Sequence, residues 1–137
     1  MPGGCDYKND PTDVRGLSAE KGNGFMIQMI SVFDLKDTES LEDFTRIYTR
    51  FIADLKSAQL IESAGPIGVR VSDTPMDTDA ARGQQFATLI TFKDRTQMDA
   101  SYAYISQRRA PGTANHIDMN ARIANGMFTC WAGLWPE

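Results

Sequence analysis

With 137 residues, 42% of them hydrophobic and 23% charged, the chain has the size and composition of a single globular domain that can bury its own core. A formal charge of −4 and a lone basic doublet, Arg108-Arg109, exclude the clustered basic footprint of a nucleic-acid-binding protein. Two distant cysteines, Cys5 and Cys130, are too few for a disulfide framework or a zinc site, and no stretch approaches the roughly 18 apolar residues of a membrane span.

Residues 1–24 are rich in Gly, Asp, Asn and Lys and have no apolar period, so they read as an arm that orders only against the domain body or a partner chain. The opening Met1-Pro-Gly-Gly-Cys-Asp6 has neither a basic leader nor an apolar run, and the expected location is the cytoplasm, with free thiols. The domain proper is expected over 25–137. Phe25 to Phe33 is a nine-residue, mostly apolar run that predicts a central strand covered on both faces. Thr38 or Ser40 then supplies an N-cap, with Glu39, Glu42 and Asp43 suiting the positive helix end. Leu41, Phe44, Tyr48, Phe51 and Leu55 recur at helical spacing and predict a long helix reaching about Leu60.

Gly65-Pro66 ends that helix. Alternation of Ile67, Val69 and Val71 predicts a half-exposed second strand. Asp73, Asp77 and Asp79 follow in a polar connection. Their spacing lacks the Gly and terminal Glu of a calcium loop, which favours a solvated turn. Gln85 to Phe92 predicts a third strand, apolar on both faces. Asp94 and Gln97 form a capping pair for a second helix whose buried side carries Met98, Tyr102 and Ile105. Pro111-Gly112 breaks it, Thr113 caps a short third helix, and Asn125-Gly126 suits that helix's left-handed C-terminal cap. Met127 to Trp135 predicts the last strand, with Met127, Thr129, Trp131 and Trp135 on one face and Phe128, Cys130 and Leu134 on the other.

The order β-α-β-β-α-β with two long helices is the ferredoxin-like, α+β arrangement, a four-stranded antiparallel sheet covered by helices on one face. Three of its strands offer apolar side chains on the second face as well. A monomer would therefore expose more apolar surface than soluble proteins usually tolerate, and a two-fold homodimer with facing sheets is expected.

Ile27 to Lys36 followed by Leu41-Glu-Asp-Phe44, and Phe92-Lys-Asp94 leading into a helix with Ala100, Tyr102 and Tyr104, resemble the dimeric α/β-barrel superfamily. That superfamily includes stress-responsive A/B barrel proteins, small antibiotic-biosynthesis-type cofactor-independent monooxygenases and polyketide cyclases. The resemblance spans residues 25–135 and implies a dimeric α/β barrel with a pocket for a small, often aromatic, molecule. Departures accompany it. Gln28 and Met29 stand where many stress-responsive relatives carry a His, and the segment Arg108 to His116 holds one His where they carry a His-Pro-x-His run. The Asn-Trp-His set of the haem-degrading members is not recoverable.

His116, the sole histidine, is the candidate general base, with Tyr102 and Tyr104 as acid or hydrogen-bonding partners. Against that stands an ordinary helix-capping His, and tyrosines that fill the core with hydroxyls at its rim. Trp131, Gln28, Thr88 and Thr129 are the candidate ligand-binding residues, the last three being polar groups inside apolar strands. Cys130 has apolar neighbours that disfavour a nucleophilic thiolate. With no paired-His set, phosphate loop or nucleophile elbow, no metal or cofactor is expected. Three readings stay open: a binding module for a small hydrophobic ligand, a cofactor-independent monooxygenase, cyclase or isomerase, and a structural dimer whose sheets fill each other.

Overall fold

The computed structural model of the protein describes residues 25–107 and 111–133. The expected arm, Cys5, Arg108-Arg109, Leu134 and Trp135 lie outside the described residues. Strand β1 (Ile27–Leu35) leads into helix α1 (Leu41–Ser57). The short strands β2 (Ser63–Ala64) and β3 (Gly68–Val69) follow, then β4 (Phe86–Phe92), α2 (Arg95–Ser106), α3 (Pro111–Asn120) and β5 (Ile123–Ala132). The sheet runs β2-β4-β1-β5, with β3 also paired to β4, and every pairing is antiparallel. This is the ferredoxin-like α+β fold with three helices.

Local chemistry explains most boundaries. Ser40 caps α1, its hydroxyl accepting from the Asp43 N–H at 3.1 Å. Phe44, Tyr48, Phe51 and Leu55 bury as the spacing requires, and Ile47 joins them, whereas Leu41 stays 37% exposed. Asp94 caps α2 by accepting from the Gln97 N–H at 2.8 Å. Gln97 Oε1 in turn accepts from the Lys93 N–H at 2.7 Å, one residue short of the usual reciprocal box. α3 already includes Pro111, so Thr113 lies within that helix and does not cap it.

Several expectations need correction. The second strand is shorter than the alternation from Ile67 to Val71 suggests: only Gly68–Val69 pairs with β4, Val69 and Val71 stand exposed, and a further short strand, β2, precedes Gly65-Pro66 on the same edge of β4. Asn125-Gly126 does not cap α3. It forms a bulge in β5, where the two residues oppose Phe33 alone between the pairs Val32–Met127 and Asp34–Ala124. Asn125 takes the left-handed conformation there (φ 56°), and its side-chain amide donates to Asp34 Oδ2 at 3.1 Å. Finally, α2 buries Ser101 and half-buries Met98 and Ile105, while Tyr102 is 74% exposed.

The connection after β3 is built around one side chain. Arg70 grips Asp77 with two parallel hydrogen bonds, Nε to Oδ2 and Nη2 to Oδ1, both 2.8 Å. It also donates to the backbone carbonyls of Asp79, Arg82 and Gln84. Asp77 and Asp79 therefore scaffold this loop, while Asp73 stays exposed as a solvated turn residue would.

The sheet has two unlike faces. Ile27, Met29, Ser31 and Phe33 of β1 lie opposite Phe92, Ile90, Thr88 and Phe86 of β4, all turned toward the helices. Phe33 and Phe44, each 1% exposed, anchor the core there with ring centroids 5.3 Å apart. The outer face presents Ile30, Leu89, Met127 and Trp131, all exposed. Among the described residues no helix is long and apolar enough to cross a membrane.

Candidate functional site

A cavity of about 620 Å³ opens between the helix-facing side of the sheet and the three helices. That volume falls within the range of small-molecule sites, roughly 300–1,000 Å³. Its walls are mostly apolar: Met29 and Phe33 from β1, Phe51 and Leu55 from α1, Ile90 and Phe92 from β4. Met98 and Ile105 of α2, Met119 of α3 and Phe128 of β5 close it. Strand parity and the α1 stripe place these residues there.

Polar groups interrupt the walls on both the sheet side and the helix side. On the sheet side Ser31 and Thr88 are direct cross-strand partners, both buried, and both line the cavity. Neither hydroxyl makes a hydrogen bond among the described residues. Beside them Tyr48, also a lining residue, has its phenolic oxygen wholly shielded and without a partner. The Thr88 hydroxyl lies near enough to favour Tyr48 ionisation slightly, yet the pair does not meet hydrogen-bond geometry. Burial dominates and raises the Tyr48 pKa above 10.0, so the phenol stays protonated at neutral pH.

On the helix side His116 of α3 lines the cavity against the Phe51 ring, centroids 5.6 Å apart. Burial lowers its pKa below 6.5 and favours the neutral imidazole. His116 makes no hydrogen bond among the described residues. Cys130 lines the same space. Burial raises its thiol pKa, with Arg95 opposing weakly, which disfavours a reactive thiolate.

The structure brings some of the expected residues together and separates others. His116, Thr88 and Tyr102 share the cavity, Tyr102 at its exposed rim. Tyr104 is turned elsewhere: its hydroxyl donates to Asp54 Oδ2 of α1 at 3.0 Å. Gln28, Thr129 and Trp131 lie on the outer face, because β1 and β5 alternate and Gln28 pairs with Trp131. There the Trp131 indole N–H donates to Thr129 Oγ1 at 2.8 Å. Parity along β5 places Thr129 and Trp131 together on the outer face, the face expected to meet a second copy, whereas the helix-side cavity lies on the opposite side of the sheet. Sequence reasoning missed Ser31 and Met119. Ser31 had a signal, as the one polar residue among the helix-facing positions of β1.

An antiparallel sheet carrying helices on one face, with a mostly apolar cavity between them, defines a protein of the ferredoxin-like α+β fold. Residues 26–132 match DUF6614, described as a family of unknown function, and the chain belongs to that family. None of the curated proteins matches the chain.

Solved structures resemble it in fold. A dimeric ferredoxin-like protein of unknown function from Thermobifida fusca is 19% identical, with 80% of this chain and 92% of that one covered and a TM-score of 0.53. A variant of SnoaB, a cofactor-independent oxygenase from Streptomyces nogalater, is 6% identical, with 81% and 95% covered and a TM-score of 0.57. Hydroxynitrile lyase from Passiflora edulis is 14% identical, with 80% and 94% covered and a TM-score of 0.54. Likeness at these identities is a likeness of fold.

Proposed function

We propose that the domain, residues 25–137, binds a small hydrophobic or aromatic molecule in the cavity between sheet and helices, and works as a homodimer joined through the outer sheet face. The observation that carries the reading is the cavity itself. About 620 Å³ of space is lined by bulky apolar side chains, by the sheet-side hydroxyls of Ser31 and Thr88, and by Tyr48, whose phenol is left without a partner. A domain selected only for stability gains by filling such a space, since each lost contact and each unpaired buried hydroxyl costs free energy.

Dimerisation is supported by the exposed Ile30, Leu89, Met127 and Trp131 on one sheet face, and by the dimeric state of the Thermobifida protein. Uptake of naphthalene by the full chain, followed by its fluorescence, tests the binding reading. Saturable binding that Ser31→Leu abolishes and Thr129→Leu preserves is the expected result. Binding lost in Thr129→Leu and kept in Ser31→Leu would move the site to the outer face.

A second reading, cofactor-independent catalysis, draws on His116, a neutral imidazole on the cavity wall with no hydrogen bond to hold it among the described residues. Turnover lost in His116→Gln with naphthalene binding intact would favour it.

A further inference from the structure

The polar groups of the cavity specify more than an apolar guest, provided that the cavity is the binding site proposed above. Ser31 and Thr88 face each other across the β1–β4 ladder and keep their hydroxyls unpaired, with the shielded phenol of Tyr48 beside them. Two neutral hydroxyls on the sheet wall can both donate and accept, but they supply no charge. Elsewhere on the lining the ionisable groups are Asp99, Tyr102, His116 and Cys130. Asp99 is occupied by Arg95 at 3.0 Å, and no Lys or Arg lines the cavity among the described residues.

These facts rank three kinds of guest. A carboxylate would give up its hydration without meeting a cation, which is costly in an apolar enclosure. A bare hydrocarbon would fill the space but leave the Ser31 and Thr88 hydroxyls sealed and unpaired. An uncharged oxygen satisfies them at no such cost. We infer that the cavity selects an uncharged ring compound bearing a hydroxyl or carbonyl oxygen, seated against Ser31 and Thr88, over the matching hydrocarbon or carboxylate.

Titration calorimetry of the full chain with 1-naphthol, naphthalene and 1-naphthoate tests this selection. The expected order is 1-naphthol tighter than naphthalene by about tenfold, the worth of one or two neutral hydrogen bonds, with 1-naphthoate weakest. Thr88→Val and Ser31→Ala should each bring the affinities for 1-naphthol and naphthalene to within about twofold of one another. Equal binding of 1-naphthol and naphthalene overturns the selection but leaves the cavity as a binding site, and so does tightest binding of 1-naphthoate. Binding of none of the three overturns the cavity reading and the selection together. Should the variants fail to fold, the order of the three probes on the unmodified chain still decides.

Discussion

Ser31 and Thr88 stand opposite one another in the β1–β4 ladder, two hydroxyl residues among the apolar side chains that turn toward the helices. The shielded phenol of Tyr48 lies beside them without a hydrogen bond. A polar pole of this kind lowers stability in the unliganded protein, because burying a hydroxyl without a partner costs about 1–3 kcal/mol. Tyr48→Phe removes that oxygen at almost constant shape. It should leave the protein as stable or raise its stability by up to about 1 kcal/mol, read by urea denaturation. A loss above about 1 kcal/mol would mean that the hydroxyl is satisfied in solution.

His116 gives stability a pH dependence whose sign follows from burial. Its folded pKa lies below the ordinary 6.5, so between those two values the unfolded chain binds more protons than the folded one. The neutral form's contribution is complete above about pH 6.5 and falls as the pH drops through that window. Denaturant midpoints at pH 7.5 and pH 5 should therefore differ more in the wild type than in His116→Gln. Identical slopes would show that the imidazole is not shielded.

Arg70 and Asp77 hold the segment between β3 and β4. Arg70 keeps the Asp77 carboxyl below its ordinary 3.8, so their pairing contributes above that value and is lost as acid carries the pH through the folded pKa. Arg70→Met should speed amide exchange and proteolysis within 72–84, with little change in the global unfolding midpoint. The difference from wild type should shrink as acid takes the pH below 3.8 and through the folded pKa of Asp77. Unchanged protection of the segment in Arg70→Met would show that other contacts order it.

The outer sheet face should join two copies. Sedimentation at micromolar concentration should give a dimer for the wild type, and Ile30→Glu should shift it toward monomer by placing a charge in the apolar patch. A stable, soluble wild-type monomer at that concentration would refute the dimer.

How far the sequence reaches is visible in particular residues. The α1 stripe from Phe44 to Leu55 is legible because a 3.6-residue period leaves one face, and that face is buried. β5 is legible by parity, which places Met127, Thr129 and Trp131 together. Which side of the sheet carries the cavity is not legible, since both faces of β1 are largely apolar and only the helices distinguish them. Tyr102 and Tyr104 are both helical, yet one reaches the cavity rim and the other is drawn to Asp54, a partner 50 residues away. The break at Gly65-Pro66 was readable as a helix stop but not as the gap between two short bridges on β4. Asn125 satisfies a left-handed position equally well in a helix cap and in a bulge, and the pairing partner decides which.

Methionine methyl groups offer the most direct test of the central claim, because the two faces carry separate reporters. Met29, Met98 and Met119 line the cavity, while Met26 and Met127 are exposed away from it. With the protein labelled at its methionine methyls, 1-naphthol should shift the resonances of Met29, Met98 and Met119 in a saturable manner and leave Met26 and Met127 in place. Saturable shifts confined to Met26 and Met127 would contradict a site between the sheet and the helices.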